Sequence, residues 1–366
     1  MKNILTVTGS RSEYDLLYPL IKKIDNEKKF EFNLLCCGSH LDKNFGTTIK
    51  EIKKDNFKKI YKLKTIQKKN NSLIEILDSH SLLQKKISKL IINKRIKLLI
   101  ILGDRFEAHA SALSAYFLKI PIVHISGGDT SLGSMDEYFR NSISLMSNIH
   151  FVKTKKHKSK LIRLGIEKNK IFITGSLSNE NFVSEFEKKF IFKKPFGLVT
   201  FHPVTNTTNK NDNNIKNLLK AVDSFENLNF LFTASNHDKG GIIINKDIKR
   251  FVKNNKKYKF VYNLGRKLYY QAMKNCEFMI GNSSSGILES MIYKKPAINI
   301  LPRQMGRQSN KNVIHCKNQT FLIKQAIDKA LTLEFKKKCK SLKNIFRSNV
   351  KSPSEFMLNK IKIFYG

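Results

Sequence analysis

Phe278-Met279-Ile280-Gly281-Asn282-Ser283-Ser284-Ser285-Gly286-Ile287-Leu288-Glu289 is the stretch on which the reading of this 366-residue chain turns. An apolar run of strand length breaks at a glycine and crosses small residues. It then resumes as a helical pattern, Ile287 and Leu288 followed by Met291. A strand-to-helix turn of small residues leaves backbone N–H groups uncovered. The positive end of the helix dipole faces whatever lies there, and that environment suits a phosphate. Glu289, about one turn further on, is within reach of ribose hydroxyls. Taken alone, the same residues also fit an ordinary capped helix.

The pattern of apolar run, turn and helix repeats outward in both directions. Strands are expected near 3–7, 32–37, 98–102, 121–125, 150–152 and 171–174, and again near 197–201, 230–232, 260–262, 278–280 and 297–300. Helical stretches fall between them, at 16–25, 73–92, 105–117 and 215–225 among others. Continuous apolar strands alternating with helices indicate parallel sheets covered on both faces. A polar stretch over 176–195 separates the two series. The fold class is therefore α/β, with two Rossmann-like doubly wound domains in tandem facing a cleft. Residues 1–180 form the first, 181–345 the second, and 346–366 a helix packing back on the first. In such sheets ligands sit beyond the carboxyl ends of the strands, so the residues just after each strand carry the function.

Composition narrows the class. The chain is 41% hydrophobic and 27% charged, which is globular. Its 68 Lys and Arg outnumber 29 Asp and Glu, giving a net charge of +39. The lysines occur as pairs and triplets along the whole length, such as Lys53-Lys54, Lys256-Lys257 and Lys336 to Lys338, and no basic arm gathers them. A nucleotide-composition bias in the source genome would give the same profile, and nucleic acid is not expected as a partner. The five cysteines include no CxxC pair, which reads as free thiols in a reducing compartment without structural zinc. No run reaches the ~18 apolar residues of a membrane helix, and the N-terminal run, 4–7, is too short for a signal-peptide core. A cytoplasmic protein with no membrane partner is expected.

The strand ends carry several candidates. Arg11, in Thr8-Gly9-Ser10-Arg11, could grip a phosphate with its guanidinium, although a single glycine is no dinucleotide fingerprint. Asp104, in Gly103-Asp104-Arg105, is either an acid/base at a strand tip or the cap of the helix that follows. Asp129 ends the flexible turn His124-Ile125-Ser126-Gly127-Gly128-Asp129. Asp136 and Arg140 share a helix face four residues apart, and Ser134 with Glu137 fits a capping box. His202 closes a strand in Thr200-Phe201-His202-Pro203. Arg303 and Arg307 add cations after the last strand, and 236–241 form another polar loop. GxSxG, the P-loop sequence and HExxH are absent, and nothing has metal-ligand spacing.

Together these residues resemble the hydrolysing UDP-N-acetylglucosamine 2-epimerases. The match runs over nearly the whole chain through TGSRSEY (8–14), CGSHL (37–41), LGDRFEA (102–108), PIVHISGGD (121–129), Asp136 with Arg140, TFHPVT (200–205), GNSSSGILE (281–289) and PRQMGRQ (302–308). The resemblance implies a fold of the glycosyltransferase-B type and loss of UDP across C1 and C2 to a 2-acetamidoglucal. Water then adds, and the free 2-epimeric sugar departs. It implies acid/base work at Asp104, Asp129 and Asp136, and Arg140 holding a carboxylate or the sugar. His202 would attend the diphosphate, Arg11, Ser283, Ser284, Ser285 and Gly286 the phosphates, and Glu289 the ribose. No cofactor or metal is implied, and the expected partners are the nucleotide sugar and further copies of the chain in a homo-oligomer. The sequence departs from many relatives at Ser126, where they carry Glu or His, at Asp129, where they carry Glu, and at Asn141, where they carry His. These changes bear on the substrate more than on the reaction class. The lead expectation is UDP-N-acetylglucosamine as substrate, for nonulosonic (sialic-like) acid synthesis. The variant is UDP- or GDP-N,N'-diacetylbacillosamine, as in legionaminic acid synthesis. A glycosyltransferase of the same fold, or a non-catalytic basic binding protein, are the readings of another class.

Overall fold

The computed structural model describes residues 1–42, 47–65, 73–181, 192, 194–207, 214–236, 238, 240–253 and 255–366. Most of the polar stretch 176–195 lies outside them, as do His237 and Lys239 of the 236–241 loop. Among the described residues the chain divides into two units. One comprises 1–129, 136–181 and 346–366, and the other 130–135 and 182–345.

The first unit follows the order β1 (Lys2–Thr8), α1 (Arg11–Asn26), β2 (Phe30–Cys36), α2 (Ile49–Lys54), β3 (Ile60–Lys62), α3 (Leu73–Asn93), β4 (Leu98–Leu102) and α4 (Phe106–Phe117). It continues through β5 (Ile122–Ile125), α5 (Asp136–Met146), β6 (Ile149–Val152), α6 (Lys155–Arg163) and β7 (Ile171–Ile173). All strand pairs are parallel, in the order β3-β2-β1-β4-β5-β6-β7. Successive residues of each strand feed opposite faces. Ile4, Leu34 and Ile100 pack with Leu17, Leu20 and Ile21 of α1. Leu5, Leu35 and Leu99 pack with Leu83, Ile87 and Ile91 of α3. Burial on both faces is why these strands read as unbroken apolar runs.

The second unit runs β8 (Phe196–Thr200), α7 (Ile215–Asp223), β9 (Asn229–Thr233), α8 (Gly241–Val252), β10 (Tyr258–Val261), α9 (Gly265–Asn275), β11 (Phe278–Gly281), α10 (Ser284–Leu288), β12 (Ala297–Ile300), β13 (Val313–Cys316), α11 (Thr320–Leu331) and α12 (Leu333–Ser341). Its sheet is parallel in the order β10-β9-β8-β11-β12-β13. Val199, Phe230, Phe232 and Ile280 meet Leu218, Val222, Ile244, Ile323 and Ile327 in one core. The last helix, α13 (Pro353–Tyr365), returns to the first unit and places Met357, Leu358 and Ile361 in the core under β1 and α1. Lys23–Glu355 and Lys362–Glu27, both at 2.7 Å, flank that contact.

Both sheets have the doubly wound order, which reverses direction between the first and fourth strands. In the first unit the switch lies between β1 and β4, and in the second between β8 and β11. Ligands of doubly wound sheets sit in the crevice at this point. Beyond these four strands lie Arg11, Asp104, His202 and Ser283.

Candidate active site

In the first unit a tight turn follows β5. Ser126 and Gly128 both take left-handed backbone, at φ 69° and 73°. A side chain at 128 would press its Cβ to 2.4 Å from the His157 carbonyl oxygen, so only glycine fits there. The Ser126 N–H donates to the Phe151 carbonyl at 2.8 Å and anchors the turn to β6. The next residue, Asp129, is thereby set against α5 and α6.

Arg140 occupies the centre and is 1% exposed. Its Nε donates to Asp104 Oδ2 at 2.9 Å, with a second, closer bond to the same oxygen. Its other terminal nitrogen donates to Glu137 Oε2 at 2.6 Å and to the Asp129 carbonyl at 3.1 Å. Burial works against the guanidinium charge. Asp104, Asp129 and Glu137 overcome that cost and hold it above its ordinary value. Asp104 does not cap α4. That helix begins at Phe106 behind Arg105, without a side-chain cap, and the Asp104 carboxylate, about one fifth exposed, stays on Arg140. Behind it, His124 spans the site, with Nε2 at 2.8 Å from the Gly103 carbonyl and Nδ1 at 3.0 Å from Ser144 Oγ. Burial lowers its pKa to about 3, so the ring is neutral and Nε2 donates to the Gly103 carbonyl, fixing the β4 tip that carries Asp104.

Asp136 opens α5 and is half-buried. Asp129 is placed differently. Its side chain is 3% exposed, with Lys153 Nζ at 2.9 Å from Oδ2 and His157 Nε2 at 3.6 Å from Oδ1. Sequence reasoning gave no role to Lys153, His157 or Lys160. The signal was available for two of them, since His157, Lys160 and Leu161 fall on one face of α6 at spacings of three and four. Arg11 stands at the first turn of α1, its Nε 3.7 Å from Asp15.

Beneath Arg11, Ser10 caps α1, and the Glu13 carboxylate returns to accept the N–H groups of Gly9 and Ser10 at 2.8 and 3.0 Å. This is the S-x-x-E capping box. Arg105 and Glu107 form a buried ion pair at 3.1 Å beside it.

In the second unit, β11 ends at Gly281, whose φ of 139° and closeness to Thr200 exclude any side chain. A Cβ would lie 1.9 Å from the Thr200 carbonyl oxygen. Asn282 then clamps the neighbouring strand end. Its Oδ1 accepts from the His202 N–H at 2.7 Å, and its Nδ2 donates to the His202 carbonyl at 2.8 Å. The His202 ring is oriented separately, because Nδ1 accepts the Asn236 N–H at 3.0 Å. An Nδ1 that accepts an N–H places the ring proton on Nε2. Ser283 caps the five-residue helix α10, and Ser285 Oγ bonds Tyr269 at 2.6 Å and Ser283 at 3.2 Å. Ser284 and Gly286 follow on the same turn, and Glu289 is buried at its end. Arg303 is a strut more than an exposed cation. It donates to the Pro203 carbonyl at 3.1 Å and pairs with Asp238 at 3.3 Å. Gln304 in turn holds the Asn282 carbonyl at 3.0 Å. Residues 130–135 pack here too, through Leu132 N–H to the Met305 carbonyl and Met135 N–H to Thr205 Oγ1. Among the described residues no group of three or more His, Cys, Asp or Glu is placed to hold a metal ion, and no helix is long and apolar enough to cross a membrane.

Residues 22–351 match the family model described as UDP-N-acetylglucosamine 2-epimerase. A GDP/UDP-N,N'-diacetylbacillosamine 2-epimerase (hydrolyzing) of Campylobacter jejuni is 37% identical, over 92% of this chain and 89% of that one. The polysialic acid biosynthesis protein P7 of Escherichia coli is 36% identical, over 86% and 82%. A crystal structure of UDP-GlcNAc 2-epimerase from Neisseria meningitidis bound to UDP-GlcNAc superposes with a TM-score of 0.81 at 16% identity, over 99% of this chain and 100% of that one. That likeness gives the fold, two Rossmann-like domains of the glycosyltransferase-B type. With a family match across most of its length and two relatives above 30% identity, the chain belongs to the UDP-N-acetylglucosamine 2-epimerase family.

Proposed function

We propose that the protein is a hydrolysing 2-epimerase of a UDP-activated 2-acetamido sugar. The observation that carries the reading is the buried Arg140 joined to Asp104, Glu137 and the Asp129 carbonyl at the switch point of the first sheet. A carboxylate takes the C2 proton. The electron pair of that bond forms the C1–C2 double bond, and the C1–O bond breaks with its pair leaving on the diphosphate. Water then adds at C1 and a proton returns to C2 on the other face, so UDP and the free 2-epimeric sugar are the products. A C2–H bond is weakly acidic, and the reaction needs a placed base and a stabilised leaving group. Asp104, Asp129 and Asp136 are assigned the acid/base work, with Asp104 held by Arg140 and Asp129 by Lys153. His202, with its Nε2–H, and Arg11 with the serines of 283–285 attend the diphosphate, and Glu289 the ribose. The enzyme needs no cofactor, works in the cytoplasm and assembles as a homo-oligomer.

UDP-N-acetylglucosamine is the first substrate to test. The diacetylbacillosamine nucleotides are the second, favoured by the 37% identical relative and by the Ser126–Asp129 turn. The experiment is proton NMR of the protein with each nucleotide in D2O. Free N-acetylmannosamine with UDP and deuterium at C2 is expected from the first, or the matching free diacetylated sugar from the second. Asp104→Asn and Asp136→Asn are each expected to cut turnover at least ~100-fold. Full activity in both variants removes the assignment, and intact nucleotide sugar in every tube removes the reading.

A further inference from the structure

Arg140 and Lys160 hold the same two acceptors. Lys160 Nζ donates to the Asp129 carbonyl at 2.7 Å and to Glu137 Oε1 at 2.5 Å. Arg140 donates to that carbonyl at 3.1 Å and to Glu137 Oε2 at 2.6 Å. Two cations and two acceptors thus close a ring, from which Arg140 extends Nε and its other terminal nitrogen to Asp104. Lys153 adds the third cation, on the Asp129 carboxylate.

We infer that Lys160 is a positioning residue for Asp104, acting through Arg140, an inference that rests on the role proposed above for Asp104. Glu137 carries one negative charge and is shared by two cations, so Arg140 retains charge and two N–H groups for Asp104. With Lys160 removed, Glu137 and the Asp129 carbonyl lose one of the two cations they share and draw the Arg140 guanidinium toward α5, away from the strand tip. A charge withdrawn from a buried set of pairs is not replaced by water, and a displacement of about 1 Å at a reacting group costs on the order of a hundredfold in rate. The side chain of Lys160 is 19% exposed, so its stem packs while its ammonium enters the ring at the edge, where replacement leaves the core of α6 intact.

The test uses Lys160→Met, Lys160→Gln and Lys160→Arg in the full chain. The two neutral variants are expected to lower kcat at least ~10-fold with KM within about twofold, and Lys160→Arg to restore most of the loss. A second readout does not depend on turnover, namely hydrogen exchange of the Arg140 Nε–H by 15N NMR, assigned by its disappearance in Arg140→Lys. The neutral variants are expected to speed that exchange about tenfold or more and Lys160→Arg to slow it again. Unchanged exchange in the neutral variants overturns the inference, and so does cooperative unfolding of both, which would make Lys160 a folding residue only. If the wild type turns over neither nucleotide sugar, the proposed function falls, and the Arg140 exchange rate still decides the coupling between Lys160 and Arg140.

Discussion

Glu13 shows how one side chain can serve two ends of pH. Burial pushes its carboxyl up to about 8, with Glu107 and Asp104 adding to the rise and Arg105 and the Gly9 N–H opposing it. A folded-state value above the ordinary 4.5 means a stabilising contribution that is complete below 4.5 and lost as pH rises through about 8. Glu13→Gln keeps a carbonyl for the Gly9 and Ser10 N–H groups and removes the titration. Urea midpoints are expected to fall between pH 6 and pH 9 in the wild type and to fall less in Glu13→Gln; parallel falls would show that Glu13 titrates normally. Asn282 invites a second residue-scale measurement. Asn282→Ala releases both backbone bonds to His202 and is expected to lower kcat ~10-fold or more, with a smaller change in KM. An unaffected kcat would detach His202 from the chemistry. The positions of Asp104, His202 and Ser283 were legible in the sequence because each follows an apolar run, and that of Arg140 because it stands four residues from Asp136 on one helix face. Lys153 was not, since 68 Lys and Arg hide one, and its partner Asp129 lies 24 residues away along the chain.

At the scale of elements, length decided what could be read. Runs such as Leu98–Leu102 or Ala297–Ile300 are buried on both faces and show as plain apolar blocks. The strands missed were β3, Ile-Tyr-Lys at one sheet edge, and β13, Val-Ile-His-Cys at another. Each is short and half-polar, as edge strands are. Apolar periodicity marks the first helix only from 16, but the helix begins at Arg11, where Ser10 and Glu13 form its capping box. The terminal basic stretch is two helices, α12 and α13, broken over 342–352. α13 contributes core, and Ile361→Ala is expected to cost about 2–4 kcal/mol of unfolding free energy, measured by urea denaturation. A loss below ~0.5 kcal/mol would mean that the helix end frays from α1.

The whole molecule carries +39, distributed along its length. Such an excess repels itself in the compact state, and salt shortens its reach from about 30 Å at 0.01 M to about 3 Å at 1 M. Thermal midpoints are therefore expected to climb by several degrees between 10 mM and 500 mM sodium chloride, and retention on a polyanion column to vanish over the same range. A flat melting curve would show that the surface cations are already compensated locally. The path of the backbone has a further consequence. The core opened by Ile4 and Leu17 is finished only by Met357 and Ile361, and residues 182–345 belong to the other unit. On the ribosome, the half made first must wait with part of its interior uncovered while residues 182–345 of the other unit emerge. The order of completion is thus the reverse of the order of synthesis, and a stalled or nicked nascent chain presents the α1 face of the first sheet to chaperones.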